Sequence, residues 1–241
     1  MSVPDFELIV LDFDGTLADT RPAIIATILA TFADEARVSL SAAAVEAIVS
    51  RGLPLDATLR ATAIEHGLSP DAIGVARLIE AYREIYARYD RSSTRLFDGF
   101  ASVLATLRSR GALIGVVSNK GEAAIHAFLE RNQIAHRTDL VFGDVNGRPR
   151  KPASALMFEH VLPRAGIEQL DRILVVGDTE IDLQFALNCG VSSCWARFGY
   201  GDPAVCMRHA PTYVIDYPSQ LLSLPPSPGP GPAAALASIP F

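Results

Sequence analysis

The sequence is poor in lysine. Of its 21 basic side chains only Lys120 and Lys151 are lysines, and arginine supplies the rest. Against 27 acids this leaves a net charge of -6, without the basic excess that grips a nucleic-acid backbone. Nucleic acid is therefore not an expected partner. Cysteine is scarce too. Cys189, Cys194 and Cys206 include no C-x-x-C pair, which argues against a structural zinc site or a disulfide framework and fits free thiols in a reducing cytoplasm. The histidines at 66, 126, 136, 160 and 209 show no metal-ligand spacing. No apolar run approaches the roughly 20 residues that cross a bilayer. The opening MSVPDFELIV has acids and no basic segment before its apolar stretch, unlike a signal peptide. These absences point to a soluble, cytoplasmic protein with no membrane partner.

Apolar material for a core is plentiful: 49% of the 241 residues are hydrophobic. That length accommodates one large domain, or one domain carrying an insert. Three aliphatic runs stop abruptly at polar residues. Leu8-Ile9-Val10-Leu11 ends at Asp12-Phe13-Asp14-Gly15-Thr16, Leu113 to Val117 ends at Ser118-Asn119, and Ile173 to Val176 ends at Gly177-Asp178. Unalternated runs of this kind suit strands covered on both faces, the habit of a parallel sheet. Val141-Phe142 and Cys194 to Ala196 are weaker strand candidates. Helical patterns over Gly99 to Arg110, Glu122 to Asn132, Ser154 to Ala165 and Glu180 to Asn188 lie between them. Alternating strands and helices predict an α/β fold with an open parallel, Rossmann-like sheet and helices on both faces.

From about Arg21 to Arg91 the pattern is helical throughout. Ile24, Ile28 and Phe32 share a face, and Leu53 to His66 and Asp71 to Asp90 read as helices around a Gly67-Leu68-Ser69-Pro70 turn. Thr20 is the expected N-cap of the first helix, with Pro22 in its first turn. The expected division is an α/β core of residues 1–20 and 92–221, a separate small helical domain of residues 21–91, and a Pro/Gly/Ala-rich tail of residues 222–241 with no chemistry.

In an open α/β sheet, ligands bind beyond the carboxyl ends of the strands. The three runs bring Asp12 and Asp14, Ser118, and Asp178 to that edge. Asp12 and Asp14 are two apart and point the same way on an extended chain. Two close carboxylates repel unless a cation joins them. Asp178 and Asp182 add acid, and an oxygen-rich cluster suits a hard ion such as Mg²⁺. Lys151 is the protein's own counter-charge.

In order, LDFDGT (11–16), VVSN (116–119), Lys151 in RKPAS and GDTEID (177–182) resemble the four motifs of the haloacid dehalogenase-like hydrolase superfamily. The resemblance spans roughly residues 6 to 200. The surroundings of Gly99 and of Gly199-Tyr200-Gly201 are similar to the phosphoglycolate-phosphatase-like branch, and the helical insert to its first type of cap. Departures are small: Asp98 stands before Gly99, where proline is usual, and Ser154 and Ala155 follow where a second proline is frequent.

The resemblance implies a Mg²⁺-dependent phosphatase acting on a small phosphorylated metabolite, as a monomer or homodimer. It implies that Asp12 is the nucleophile and Asp14 the general acid and base. Ser118 and Lys151 would bind the phosphoryl group, with Thr16 and Asn119 beside them. Mg²⁺ would be held by Asp12, the backbone carbonyl of Asp14, and Asp178, with Asp182 supporting from behind. Thr179 reads as a helix cap, and Lys120 as a side chain that shapes the site. Arg51 and Gly52, in a loop between cap helices, would contact substrate. Arg148 and Arg150 are expected in solvent. Tyr82, Tyr86 and Tyr89 at helical spacing read as cap packing or substrate lining. Haloacid dehalogenation usually lacks the second aspartate, and phosphonate cleavage replaces it and adds a cap lysine. Asp14 and the lysine-free insert disfavour both. A sugar phosphomutase and a non-catalytic family member are the competing readings.

Overall fold

The computed structural model describes residues 6–225. β1 (Leu8–Leu11) is followed by a short β2 (Ala18–Asp19), then by helices α1 (Arg21–Ala36), α2 (Ala42–Val49), α3 (Leu55–Glu65), α4 (Pro70–Ile73) and α5 (Val75–Ser93), and by a short β3 (Arg95–Leu96). Strands and helices then alternate: α6 (Phe100–Ser109), β4 (Leu113–Gly121), α7 (Glu122–Arg131) and β5 (Leu140–Asp144). A π-helical turn over Leu156–Val161 runs into α8 (Leu162–Ala165). The chain continues through β6 (Ile173–Gly177), α9 (Glu180–Cys189), β7 (Ser192–Ala196), α10 (Pro203–Arg208) and β8 (Tyr213–Ile215).

Six strands form one parallel sheet in the order β5-β4-β1-β6-β7-β8, and β2 pairs antiparallel with β3 beside it. The aliphatic runs are unalternated because both faces of the sheet are covered. Ile9 and Leu11 pack with Phe100, Leu104 and Phe128 on one face. Leu8 and Val10 pack with Phe142, Met157 and Phe185 on the other. Each such aliphatic side chain contributes roughly 1.5–3 kcal/mol by leaving water.

The helical stretch has an apolar cluster of its own, built from Ile28, Phe32, Val45, Leu59, Leu78, Tyr82 and Tyr86. Its details differ from the sequence expectation in three places. Gly74, at φ +81°, breaks the expected Asp71 to Asp90 helix into α4 and α5, and α5 continues to Ser93, past the expected boundary. Thr20 is at the N-cap of α1 as expected, with its carbonyl accepting from the Ile24 N–H at 3.0 Å, but its side chain makes no capping bond. Its hydroxyl donates instead to Asp14 Oδ1 at 2.6 Å.

Elsewhere, the expected Ser154 to Ala165 helix is mostly the π turn, and Pro163 has no N–H to donate back into it. β8 and the β2–β3 pair are too short to show a period. The expected tail begins too early, because Leu222 and Leu224 pack on the sheet's apolar cluster and Arg110 donates to the Leu222 carbonyl at 2.8 Å. Residues 226–241, the rest of that tail, lie outside the described residues. Among the described residues, no helix is long and apolar enough to cross a membrane, and all three cysteines are free and buried.

Candidate active site

Parallel register sets Leu11 beside Val116 and Val176. Asp12 and Asp178 lie just past β1 and β6, and Ser118 lies two residues past Val116 within β4, so the three come to one edge of the sheet. β1 is also where strand order reverses, with β4 and β5 on one side and β6 to β8 on the other. Crevices at such points hold ligands in open α/β sheets.

Lys151 enters from the loop after β5. Its ammonium lies 2.5 Å from Asp12 Oδ1 and 2.6 Å from Asp182 Oδ1, and its side chain is 3% exposed. Asn119 fixes the lysine's backbone, accepting from the Lys151 N–H at 3.0 Å and donating to its carbonyl at 3.1 Å. Both oxygens of Asp182 are in use, since Oδ2 accepts from the N–H and the hydroxyl of Thr179 at the start of α9.

Asp178 is fully buried. Its Oδ1 accepts from the Thr16 hydroxyl at 3.0 Å and its Oδ2 from the Tyr200 N–H at 2.7 Å. Gly15, at φ +85°, makes this approach possible, because a Cβ there would fall 2.2 Å from Asp178 Oδ2. Thr16, expected at the substrate, is itself fully buried with its hydroxyl on Asp178.

Asp14 stands apart from this cluster. Its Oδ1 accepts from Lys120 Nζ at 3.0 Å as well as from Thr20. The Lys120 ammonium also lies 4.2 Å from the ring centre of Tyr86 in α5. Burial alone would lower the Lys120 pKa, but Asp14, Tyr82 and Asp90 together outweigh it and the net shift is upward. Ser118 is buried, and its Oγ accepts from the Lys120 N–H at 3.3 Å.

Burial pushes the Asp12 carboxyl up to about 7, against the pull of Lys151. Burial, with Asp182 and Asp12 nearby, also raises Asp178 well above the ordinary range. Lys151 is raised, since Asp12 and Asp182 outweigh its desolvation. The cluster thus carries more carboxylate than its one ammonium offsets. Asp12, Asp178 and Asp182 each offer an oxygen within 4.8 Å of the others. Hard oxygen donors at an uncompensated anionic point fit Mg²⁺. Hydrogen bonds already reach both oxygens of Asp178 and of Asp182, and Oδ1 of Asp12.

This electrostatic arrangement has a measurable pH signature. Between the ordinary value of 3.8 and about 7, folded Asp12 keeps a proton that the unfolded chain has released. Stability from this group therefore falls as pH rises through that window. In metal-free buffer, the melting temperature of wild type relative to Asp12→Asn is expected to drop from pH 5 to pH 8, and Mg²⁺ is expected to flatten the trend. A difference independent of pH in metal-free buffer would refute the assignment.

The edge opens into a cavity of about 1500 Å³, larger than the roughly 300–1,000 Å³ usual for a small-molecule site. Asp12, Asp14, Ser118, Asn119, Lys120, Lys151 and Asp182 line one side. Ile24, Leu53, Ile79, Tyr82 and Tyr86 line the helical side. Gly52 belongs to this wall. At φ +64°, it brings its loop so close to α9 that a Cβ would fall 2.4 Å from Thr179 Oγ1. Arg51 beside it is exposed and is not part of the wall.

Residues 9–196 match the haloacid dehalogenase-like hydrolase family. The chain belongs to that family. Among its relatives is a phosphoglycolate phosphatase of Rhodospirillum rubrum, 29% identical over 214 residues that cover 88% of each chain. Another is an N-acetylmuramic acid 6-phosphate phosphatase of Pseudomonas aeruginosa, 27% identical over 90% of this chain and 93% of its own. The fold matches solved structures. One is a haloacid dehalogenase-like family protein from Streptococcus pneumoniae, with a TM-score of 0.78 at 21% identity over 91% of this chain and 98% of that one. Another is a hydrolase from Pseudomonas syringae, with a TM-score of 0.72 at 20% identity over 90% and 96%.

Within this haloacid dehalogenase-like hydrolase, several neighbours of the site were not legible as such. Arg148 is not solvent-facing as expected, whereas Arg150 keeps a side chain 39% exposed. Arg148 is largely buried and pairs with Glu122. Arg150 joins Asp144 of β5 at 2.7 Å to Asp56 of α3 at 2.8 Å, and so ties the sheet to the helices. Arg131 of α7 makes a second tie, to Asp90 at 2.7 Å and to Thr94 at 2.9 Å. The Tyr200 hydroxyl accepts from the N–H groups of Thr20 and Arg21 and donates to Asp19. The only sequence signal for Tyr200 was its place between two glycines.

Proposed function

We propose that this hydrolase is a phosphatase that cleaves small phosphate monoesters with Mg²⁺ through an aspartyl-phosphate. The observation that carries the reading is the Lys151 ammonium held between Asp12 and Asp182 at the sheet's switch point, with Asp178 beside them. The names of the relatives, both phosphatases of phosphomonoesters, support it.

In this reading, an Asp12 carboxylate oxygen attacks phosphorus as the bond to the alcohol oxygen breaks. Asp14 gives its proton to that departing oxygen. It then takes a proton from the water that attacks the phosphorus of the aspartyl-phosphate, freeing Asp12 and inorganic phosphate. Two unit negative charges at 4 Å repel by about 4 kcal/mol at an effective dielectric near 20. Lys151 offsets that repulsion, and Ser118 donates to the transferring group. Mg²⁺, when bound by Asp12, Asp178 and the Asp14 carbonyl, supplies the remaining positive charge. Gly52, in the wall of the cavity, would border the alcohol. The setting in this reading is the cytoplasm, and the working unit is a monomer or homodimer.

The test is phosphate release from p-nitrophenyl phosphate and a panel of alkyl phosphates, with Mg²⁺ and after chelation. Turnover that falls at least roughly 100-fold on chelation is expected. No release from any ester would sink the proposal.

A further inference from the structure

The mechanism needs Asp14 to point its carboxyl at the departing oxygen, yet Asp14 is an aspartate at the cavity edge with a side chain 24% exposed. Two donors converge on its Oδ1, the Thr20 hydroxyl at 2.6 Å and Lys120 Nζ at 3.0 Å. Among the described residues, no side chain donates to Oδ2, which is left for chemistry.

Lys120 is an unusual donor. Its side chain is only 9% exposed, so its ammonium has largely given up water. What replaces water is one carboxylate, Asp14, and two aromatic rings, with Tyr86 at 4.2 Å and Phe13 at 5.6 Å from the ring centres. A desolvated ammonium over a ring face is held electrostatically by that face. Phe13 belongs to the sheet edge, next to Asp14 itself. Tyr86 belongs to α5, in the helical insert. The cation that orients Asp14 is thus held from two separate parts of the chain. If α5 moved off, water would reach the ammonium, and its hold on Asp14 would weaken.

We propose that Lys120 is a positioning residue for Asp14, and that Tyr86 makes its grip depend on α5 lying against the sheet edge. The inference rests on the phosphatase reading above, in which Asp14 protonates the alcohol. Chemistry would then be efficient only with the insert seated over the site.

The test uses leaving-group dependence, which a merely structural role would not move. kcat/KM reports steps up to formation of the aspartyl-phosphate. There, an alkoxide must receive a proton, whereas p-nitrophenolate leaves without one. Wild type, Lys120→Met, Lys120→Arg and Tyr86→Leu are compared on p-nitrophenyl phosphate and on the best alkyl phosphate of the panel. For Lys120→Met, kcat/KM is expected to fall roughly tenfold or more on the alkyl ester and less than about threefold on the aryl ester. Tyr86→Leu should show the same selectivity with a smaller loss, and Lys120→Arg, which keeps a cation over the ring, should restore most of the alkyl activity. Equal losses on both esters, or none on either, overturn the inference and leave the phosphatase reading intact. A wild type that releases phosphate from neither ester overturns both. Should Lys120→Met fail to fold, Tyr86→Leu decides by the same criterion.

Discussion

Asp12→Asn is expected to lower phosphate release from p-nitrophenyl phosphate by at least roughly 10³-fold while the protein stays folded. The substitution keeps the shape of the side chain. It replaces the attacking carboxylate by an amide, which forms no acyl phosphate. Little else changes, because the neighbouring ammonium keeps Asp182 at 2.6 Å. Burial already disfavours the charged form of Asp12, so a neutral amide in the same space should leave thermal stability at neutral pH equal or higher in metal-free buffer. Catalysis and stability should therefore part company. Activity within tenfold of wild type would remove Asp12 from the role of nucleophile.

Lys151→Met is expected to damage both. Methionine fills much of the lysine stem's volume but brings no charge. Asp12, Asp178 and Asp182 would then share one buried point with no cation from the protein. Removing one partner of a buried ion pair costs about 3–5 kcal/mol. At about 2–4 °C per kcal/mol for a chain of this size, the melting temperature should fall by roughly 6–20 °C in metal-free buffer. Mg²⁺ should return part of that loss, since it binds the folded cluster and not the unfolded chain. Turnover should not return, because the lysine also offsets the charge of the phosphoryl group. An unchanged melting curve together with turnover within tenfold would show that Lys151 is not the counter-charge of this cluster.

The acidic edge was readable because its logic is short-range in each piece. An aliphatic run buried on both faces declares a parallel strand, and the polar residue after it declares an edge. Lys151 stood out because lysine is rare. What the chain hid depends on neighbours far away in sequence. Thr20 has the chemistry of a helix cap, but Asp14, folded back beside it, takes its hydroxyl. Arg150 carries no sign in the sequence of its partner Asp56, 94 positions away yet within 2.8 Å in the fold. Thr16 lies in the first motif, but the turn at Gly15 aims its hydroxyl at Asp178, 162 positions away. No periodicity encodes such pairs. Arg51 shows the reverse error. A guanidinium between helices is plausible for anion binding, but Gly52, not Arg51, forms the wall.

The greasy interior of the five helices contains only residues of that segment, and the two interiors flanking the sheet contain none of them. Charged pairs such as Arg150–Asp56 and Arg131–Asp90 sit along the seam between these bodies. Separating them would exchange ionic partners for solvent, so the seam should loosen as salt concentration rises.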